Sequence, residues 1–118
     1  MKIRATDKLF SLYIRRRDKW TCQRCKRQHE EGSRGLHCSH FFSRRKESTR
    51  FYPPNADALC FPCHQLWGHG DGKEEYKKFK INQLGENGFD LLELQSNTPE
   101  KHDEHIDILY IKNLLEEL

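Results

Sequence analysis

Apolar positions near the start of the chain recur at helical spacing. Leu9, Phe10, Tyr13 and Ile14 share one face of a 3.6-residue period. Thr6 is the expected N-cap, with Asp7 in the first turn, where a side-chain oxygen and a negative charge both suit exposed N–H groups. Arg15, Arg16, Arg17 and Lys19 close the segment with cations that suit a helix C-terminus. The pattern predicts an N-terminal helix over 6–19. Leu36 to Phe42 is short and aromatic-ended and reads as a strand. Pro53-Pro54, just before Asn55, predicts a rigid turn. A helix beginning near Cys63 should break at Gly68-His69-Gly70-Asp71-Gly72. Lys73 to Leu84 reads as helix with Tyr76, Phe79 and Ile81 inward, and Phe89, Leu91, Leu92 and Leu94 form a second apolar cluster. Thr98 and Pro99 are the expected start of a last helix, amphipathic through Ile106, Ile108, Leu109, Ile111, Leu114, Leu115 and Leu118.

At 118 residues the chain is one domain by length, 1–118. It divides into the N-terminal helix, a central unit over 20–72 and a helical extension over 73–118, an α+β fold. Hydrophobic residues are 35% and charged ones 33%, so the core is modest and a metal staple would help it. No apolar run approaches the roughly 20 residues that span a bilayer. No apolar leader follows Met1, and the chain is expected to be cytoplasmic. The net charge of +3 conceals a split: residues 1–50 hold 15 Lys/Arg against 5 Asp/Glu, and residues 51–118 hold 6 against 13. A basic half facing a polyanion accounts for this, because neutralised phosphates release counterions. A solvated basic surface is the plainer alternative.

The five cysteines include two Cys-x-x-Cys pairs, Cys22/Cys25 and Cys60/Cys63. Four thiolates at that spacing read as a closed, tetrahedral, structural zinc site rather than as redox or disulfide cysteines. Cys38 stands alone and reads as a small buried side chain.

His40, Asn55 and His64 are 15 and then 9 residues apart, and His64 directly follows the second pair. Phosphodiester hydrolysis needs a base for water and positive charge for the phosphate and leaving oxygen. An imidazole titrating near neutrality suits the first task, and a divalent cation suits the others. His40 on a strand end and His64 on a facing helix separate the base from the metal ligand. Asn55 can tie the intervening loop through its amide and so orient His40.

Those three residues match the HNH motif. More closely, the chain resembles the NinG/Rap family of lambdoid phage recombination nucleases. Tyr13-Ile14-Arg15-Arg16-Arg17-Asp18, Cys22-x2-Cys25, Ser39-His40-Phe41, Arg50-Phe51, Asn55, Cys60-x2-Cys63, Tyr76 and Leu84-Gly85 carry the resemblance from about residue 8 to 95. It implies a ββα-metal core, Mg²⁺- or Mn²⁺-dependent cleavage of DNA, and a preference for branched intermediates such as Holliday junctions and D-loops. It also implies a phage or prophage origin in a bacterial host. By the same resemblance His40 is the general base, Asn55 the loop-orienting residue and His64 a metal ligand.

The chain departs from the pattern at Ser39, where many HNH enzymes place an aspartate ligand. The NinG-like pattern has an acidic residue three before the histidine, and here that is His37, expected as a second metal ligand. On an ideal strand His37 and His40 point to opposite faces, so a bulge or strand end must intervene. His69 is a further candidate ligand. Arg44, Arg45, Lys46 and Arg50, with Arg16 and Arg17, are the expected DNA contacts. A general nicking nuclease and a zinc-stabilised DNA-binding module with a decayed site are the alternatives. A homodimer paired through the last helix would suit two incisions at a junction.

Overall fold

In the computed structural model, which describes residues 1–118, α1 spans Ala5–Arg17, β1 Leu36–His40, α2 Glu47–Arg50, β2 Ala56–Cys60, α3 Phe61–Trp67, α4 Gly70–Ser96 and α5 Glu104–Glu116. The strands form one antiparallel pair, with Leu36 opposite Cys60 and His40 opposite Ala56. The fold is therefore α+β, a two-stranded ribbon flanked by helices. No helix is long and apolar enough to cross a membrane.

Two apolar cores use this ribbon. Phe10, Tyr13 and Ile14 of α1 pack with Phe51, Ala56 and Ile111 of α5. Leu36, Ala58 and Leu59 pack with Trp67 of α3 and with Tyr76 and Phe89 of α4. Every residue of β2 is buried, which explains its unalternating Ala-Asp-Ala-Leu-Cys sequence.

Three boundaries differ from the sequence reading. The N-cap of α1 is Arg4, not Thr6; the Asp7 carboxylate reaches back to accept from the Arg4 N–H at 2.7 Å. Thr6 lies inside the helix with its hydroxyl buried and unpartnered. The glycine-rich break is only Gly68 and His69 long, because Gly70 already begins α4. Gly72 then passes so close to the Leu66 carbonyl that a Cβ would lie 1.6 Å from its oxygen. The last helix starts at Glu104 rather than Pro99. Asp103 is its N-cap, accepting from the N–H groups of His105 and Ile106, while the Thr98 hydroxyl bonds back to the Leu94 carbonyl of α4. Gly85, at φ 77°, kinks α4, a backbone that glycine adopts without cost.

An ion pair sits between β2 and α4. Asp57 and Lys80, both 0% exposed at their side chains, approach to 2.9 Å. Tyr76 Oη donates to the same carboxylate at 2.9 Å and Gln83 Nε2 at 3.2 Å, so its lone pairs are satisfied. Removing one partner would strand a buried charge, which costs roughly 3–5 kcal/mol. Lys80→Met should therefore lower the unfolding free energy by about that amount in urea titrations; a loss under about 1 kcal/mol would show that Asp57 is solvated or protonated.

Candidate functional site: a basic cleft with a histidine floor

An open cleft of ≈ 830 Å³ lies between α1, the ribbon and α3. His37, Cys38 and His40 of β1, His64 of α3 and Arg44 of the following loop line it, as do Asp7, Lys8, Ser11 and Arg15 of α1. His37 and His40 reach the same cleft because His40 is the last residue of β1; the register pairs one residue for one, so no bulge is involved.

Two contacts define the histidines. The Nδ1 atoms of His37 and His64 are 3.1 Å apart. Two nitrogens bound at about 2.1 Å to one ion, roughly at right angles, would stand about 3.0 Å apart. The separation is that of a ring-to-ring hydrogen bond, and it would also let the pair serve as two adjacent ligands of a single cation. His40 Nε2 lies 2.9 Å from the Arg50 carbonyl. A carbonyl only accepts, so Nε2 carries the hydrogen and Nδ1 is the free acceptor. Burial pushes the His40 imidazole down to about 4, which keeps it neutral near pH 7. Burial first, then His37 and Arg44, hold His64 below the ordinary imidazole range.

The loop over 41–55 sets the His40 ring. Asn55 is fully buried. Its Oδ1 accepts from the Phe42 N–H at 2.9 Å, and its Nδ2 donates to the carbonyls of Phe42 and Thr49 at 3.0 and 3.1 Å. Next to Thr49, Arg50 is 1% exposed. Its guanidinium donates twice to Asp7, at 2.9 and 2.6 Å, and again to the Arg44 carbonyl. Burial works to raise the Asp7 carboxyl, but Arg50 and the Arg4 N–H outweigh it and hold the group below its usual range.

Arg50 is therefore corrected from a DNA contact to a residue that holds the loop. Arg17 is corrected likewise. It donates to the carbonyls of Pro53 and Ala56 at 2.8 and 2.7 Å and pairs with Asp18. Arg16 and Arg45 are exposed outside the cleft lining, and Lys46 donates to Asn97. His69 is the exposed N-cap residue of α4 and does not line the cleft. Of the expected cationic contacts only Arg44 lines it. Arg15 was read only among the cations that close α1, and Lys8 was not singled out in the sequence, although their positions on the polar side of α1 were the available signal.

The cysteines meet elsewhere. The sulfurs of Cys22, Cys25, Cys60 and Cys63 all lie within 4.8 Å of one another. Cys25 and Cys60 sulfurs are 3.8 Å apart, the separation of about 3.8 Å that 2.3 Å bonds give around a tetrahedral ion. Burial would raise the Cys22 thiol, yet N–H groups of Cys60, Cys25 and Arg24 bring it down to about 7. These four residues could hold a structural metal ion. Cys38 stands apart, and burial pushes its thiol up to about 12, which makes it a poor nucleophile.

Comparison with protein-family models, with curated proteins and with solved structures found no match.

Two outcomes follow from these groups. Strong chelation should strip the four-cysteine site and abolish the native near-ultraviolet circular dichroism, because metal-binding energy at such sites is folding energy; retention of that signal in a metal-free chain would mean the thiols hold the fold unaided. His40 has a folded pKa of about 4 against about 6.5 unfolded. The unfolded chain then binds the extra proton first, so stability falls as pH drops from about 6.5 towards 4, by on the order of 3 kcal/mol from this group. NMR titration of the His40 ring should show no protonation above pH 5.

Proposed function

We propose that this chain is a metal-dependent DNA endonuclease of the HNH type, related to the NinG/Rap recombination nucleases. The observation that carries this reading is the convergence in one cleft of a neutral, oriented His40 and a histidine pair at ligand spacing. β1, β2 and α3 supply the two strands and helix of a ββα-metal core, with zinc on the four cysteines.

His40 accepts the proton of an attacking water at Nδ1. The Arg50 carbonyl fixes the tautomer and the ring, and Asn55 fixes the loop that carries that carbonyl. His37 and His64 would offer two nitrogen ligands to a divalent cation, a set that suits Mn²⁺ better than the oxygen-preferring Mg²⁺; the ion would supply charge for the phosphate and the leaving oxygen. The low basicity of His40 keeps it in the acceptor form at neutral pH, at the expense of driving force for proton uptake. Branched DNA is the proposed substrate class. Two incisions at a junction would need two copies, and α5 leaves Ile106, Leu109 and Tyr110 exposed as a surface for pairing.

One observation favours a second reading, a DNA-binding module with a decayed site. Ser39 is buried and puts no carboxylate in the cleft. The one carboxylate that lines it, Asp7, is committed to Arg50.

A cleavage assay on a labelled four-way junction and its matched linear duplex separates these readings. With Mg²⁺ or Mn²⁺ the wild type should cut the junction preferentially, and His40→Ala should lose at least about 100-fold in rate, the scale of general-base catalysis. Equal cutting of both DNAs would remove the junction preference. Binding without cutting would leave the decayed-site reading.

A further inference from the structure

Arg4, Arg17, Arg24, Arg50 and Lys80 are each paired with a carboxylate. Lys8, Arg15 and Arg44 are among the cations with no carboxylate partner, and these three gather in the cleft. Asp7 is the only acidic residue lining that cleft, and Arg50 already neutralises it through two hydrogen bonds. The cleft thus concentrates unneutralised positive charge, which focuses its field towards an anion.

The wall made by α1 is ordered. Lys8, Ser11 and Arg15 stand at i, i+3 and i+7, on one face of the helix. The Arg15 guanidinium lies 4.9 Å above the Trp20 ring, and its Nε donates to the Ser11 carbonyl at 3.2 Å. Its two terminal nitrogens make no hydrogen bond within the protein. Holding the stem in place reduces the entropy that Arg15 would lose on binding. From Lys8 to Arg15 the helix rises about 10.5 Å, so the two cations can reach different phosphates of one strand.

We infer that this face of α1 is a phosphate track: Lys8, Ser11 and Arg15 hold backbone phosphates of one DNA strand and, with Arg44, lay it across the histidines. The inference rests on the proposed nuclease reading for its substrate, but it concerns binding and not cleavage. It assigns DNA contact to the cleft face of α1, where the sequence had suggested Arg16 and Arg17.

The test is salt-dependent DNA binding by fluorescence anisotropy. It uses zinc-loaded protein without added Mg²⁺ or Mn²⁺ and without chelator, which would strip the cysteine site. Wild type is compared with Lys8→Ala, Arg15→Gln, Arg44→Ala and, as control, Arg16→Gln on the exposed side of the same helix. Each cleft variant should flatten the slope of log affinity against log salt by about 0.7–0.9, so that affinity falls about threefold less between 50 and 200 mM salt. Arg16→Gln should keep the wild-type slope. Wild-type slopes in all three cleft variants, or a loss confined to Arg16→Gln, would overturn the track. The arms also separate the two claims. Flattened slopes in a protein that never cuts would keep the track and sink the nuclease; metal-dependent cutting with unchanged slopes would do the reverse. Absence of DNA binding by wild type would sink both.

Discussion

Four sulfur atoms drawn from two stretches of chain meet at one point, where the stretch that follows α1 is joined to the end of β2 and the start of α3. The Cys22–Cys25 knuckle is fixed against the junction of β2 and α3 by its thiols and by the Gln23 N–H bonded to the Ala58 carbonyl. The turn through Lys19 and Trp20, both at φ 55°, joins that knuckle to α1. A left-handed backbone costs a non-glycine residue about 1–2 kcal/mol, so the turn is held by what surrounds it. Clamping the knuckle thus anchors the chain just beyond the C-terminus of α1, one wall of the cleft.

Two buried ion pairs complete the frame, one on each side of the ribbon. Asp57 and Lys80 tie β2 to α4, and Asp7 and Arg50 tie α1 to the loop over 41–55. Such pairs often contribute little net stability compared with apolar replacements; they are costly when half-removed. Their more direct effect here is positional. The Arg50 side chain locks onto α1 while its carbonyl holds the ring of His40, so one residue joins the wall of the cleft to its floor.

Much of this was legible in the chain. The two Cys-x-x-Cys pairs announced their cluster because ligand spacing is a local property. Helix α1 and the first half of α4, over 73–84, were visible from periodicity, while the run on to Ser96 was read only as an apolar cluster; the clamp made by Asn55 was foreseeable from its amide chemistry. What stayed hidden was long-range. Whether an arginine faces solvent or a buried carboxylate depends on residues far away in sequence: Arg50 meets Asp7 across 43 positions, and Arg17 meets Pro53 across 36. Basic clustering in the sequence could not distinguish Arg50 from Arg44. The start of α5 was misread because Thr98-Pro99 carries a good local initiation signal, and the caps by Asp103 and the Thr98–Leu94 bond override it. Nothing local marks Asp57 and Lys80 as a buried pair; only packing brings them together.

Helix α1 lies between the cleft on one side and Ile111 of α5 on the other. In a chain made from the N-terminus, α1 emerges first among the helices and waits for the last of them. Until α5 has been synthesised, Phe10 and Ile14 lack part of their cover, and the wall of the cleft has nothing firm behind it. Domains generally fold as units once their sequence is complete. A ribosome-bound nascent chain would therefore carry the histidines and the cysteines before the groove had its full backing, and the groove would take its final shape only once α5 had been made.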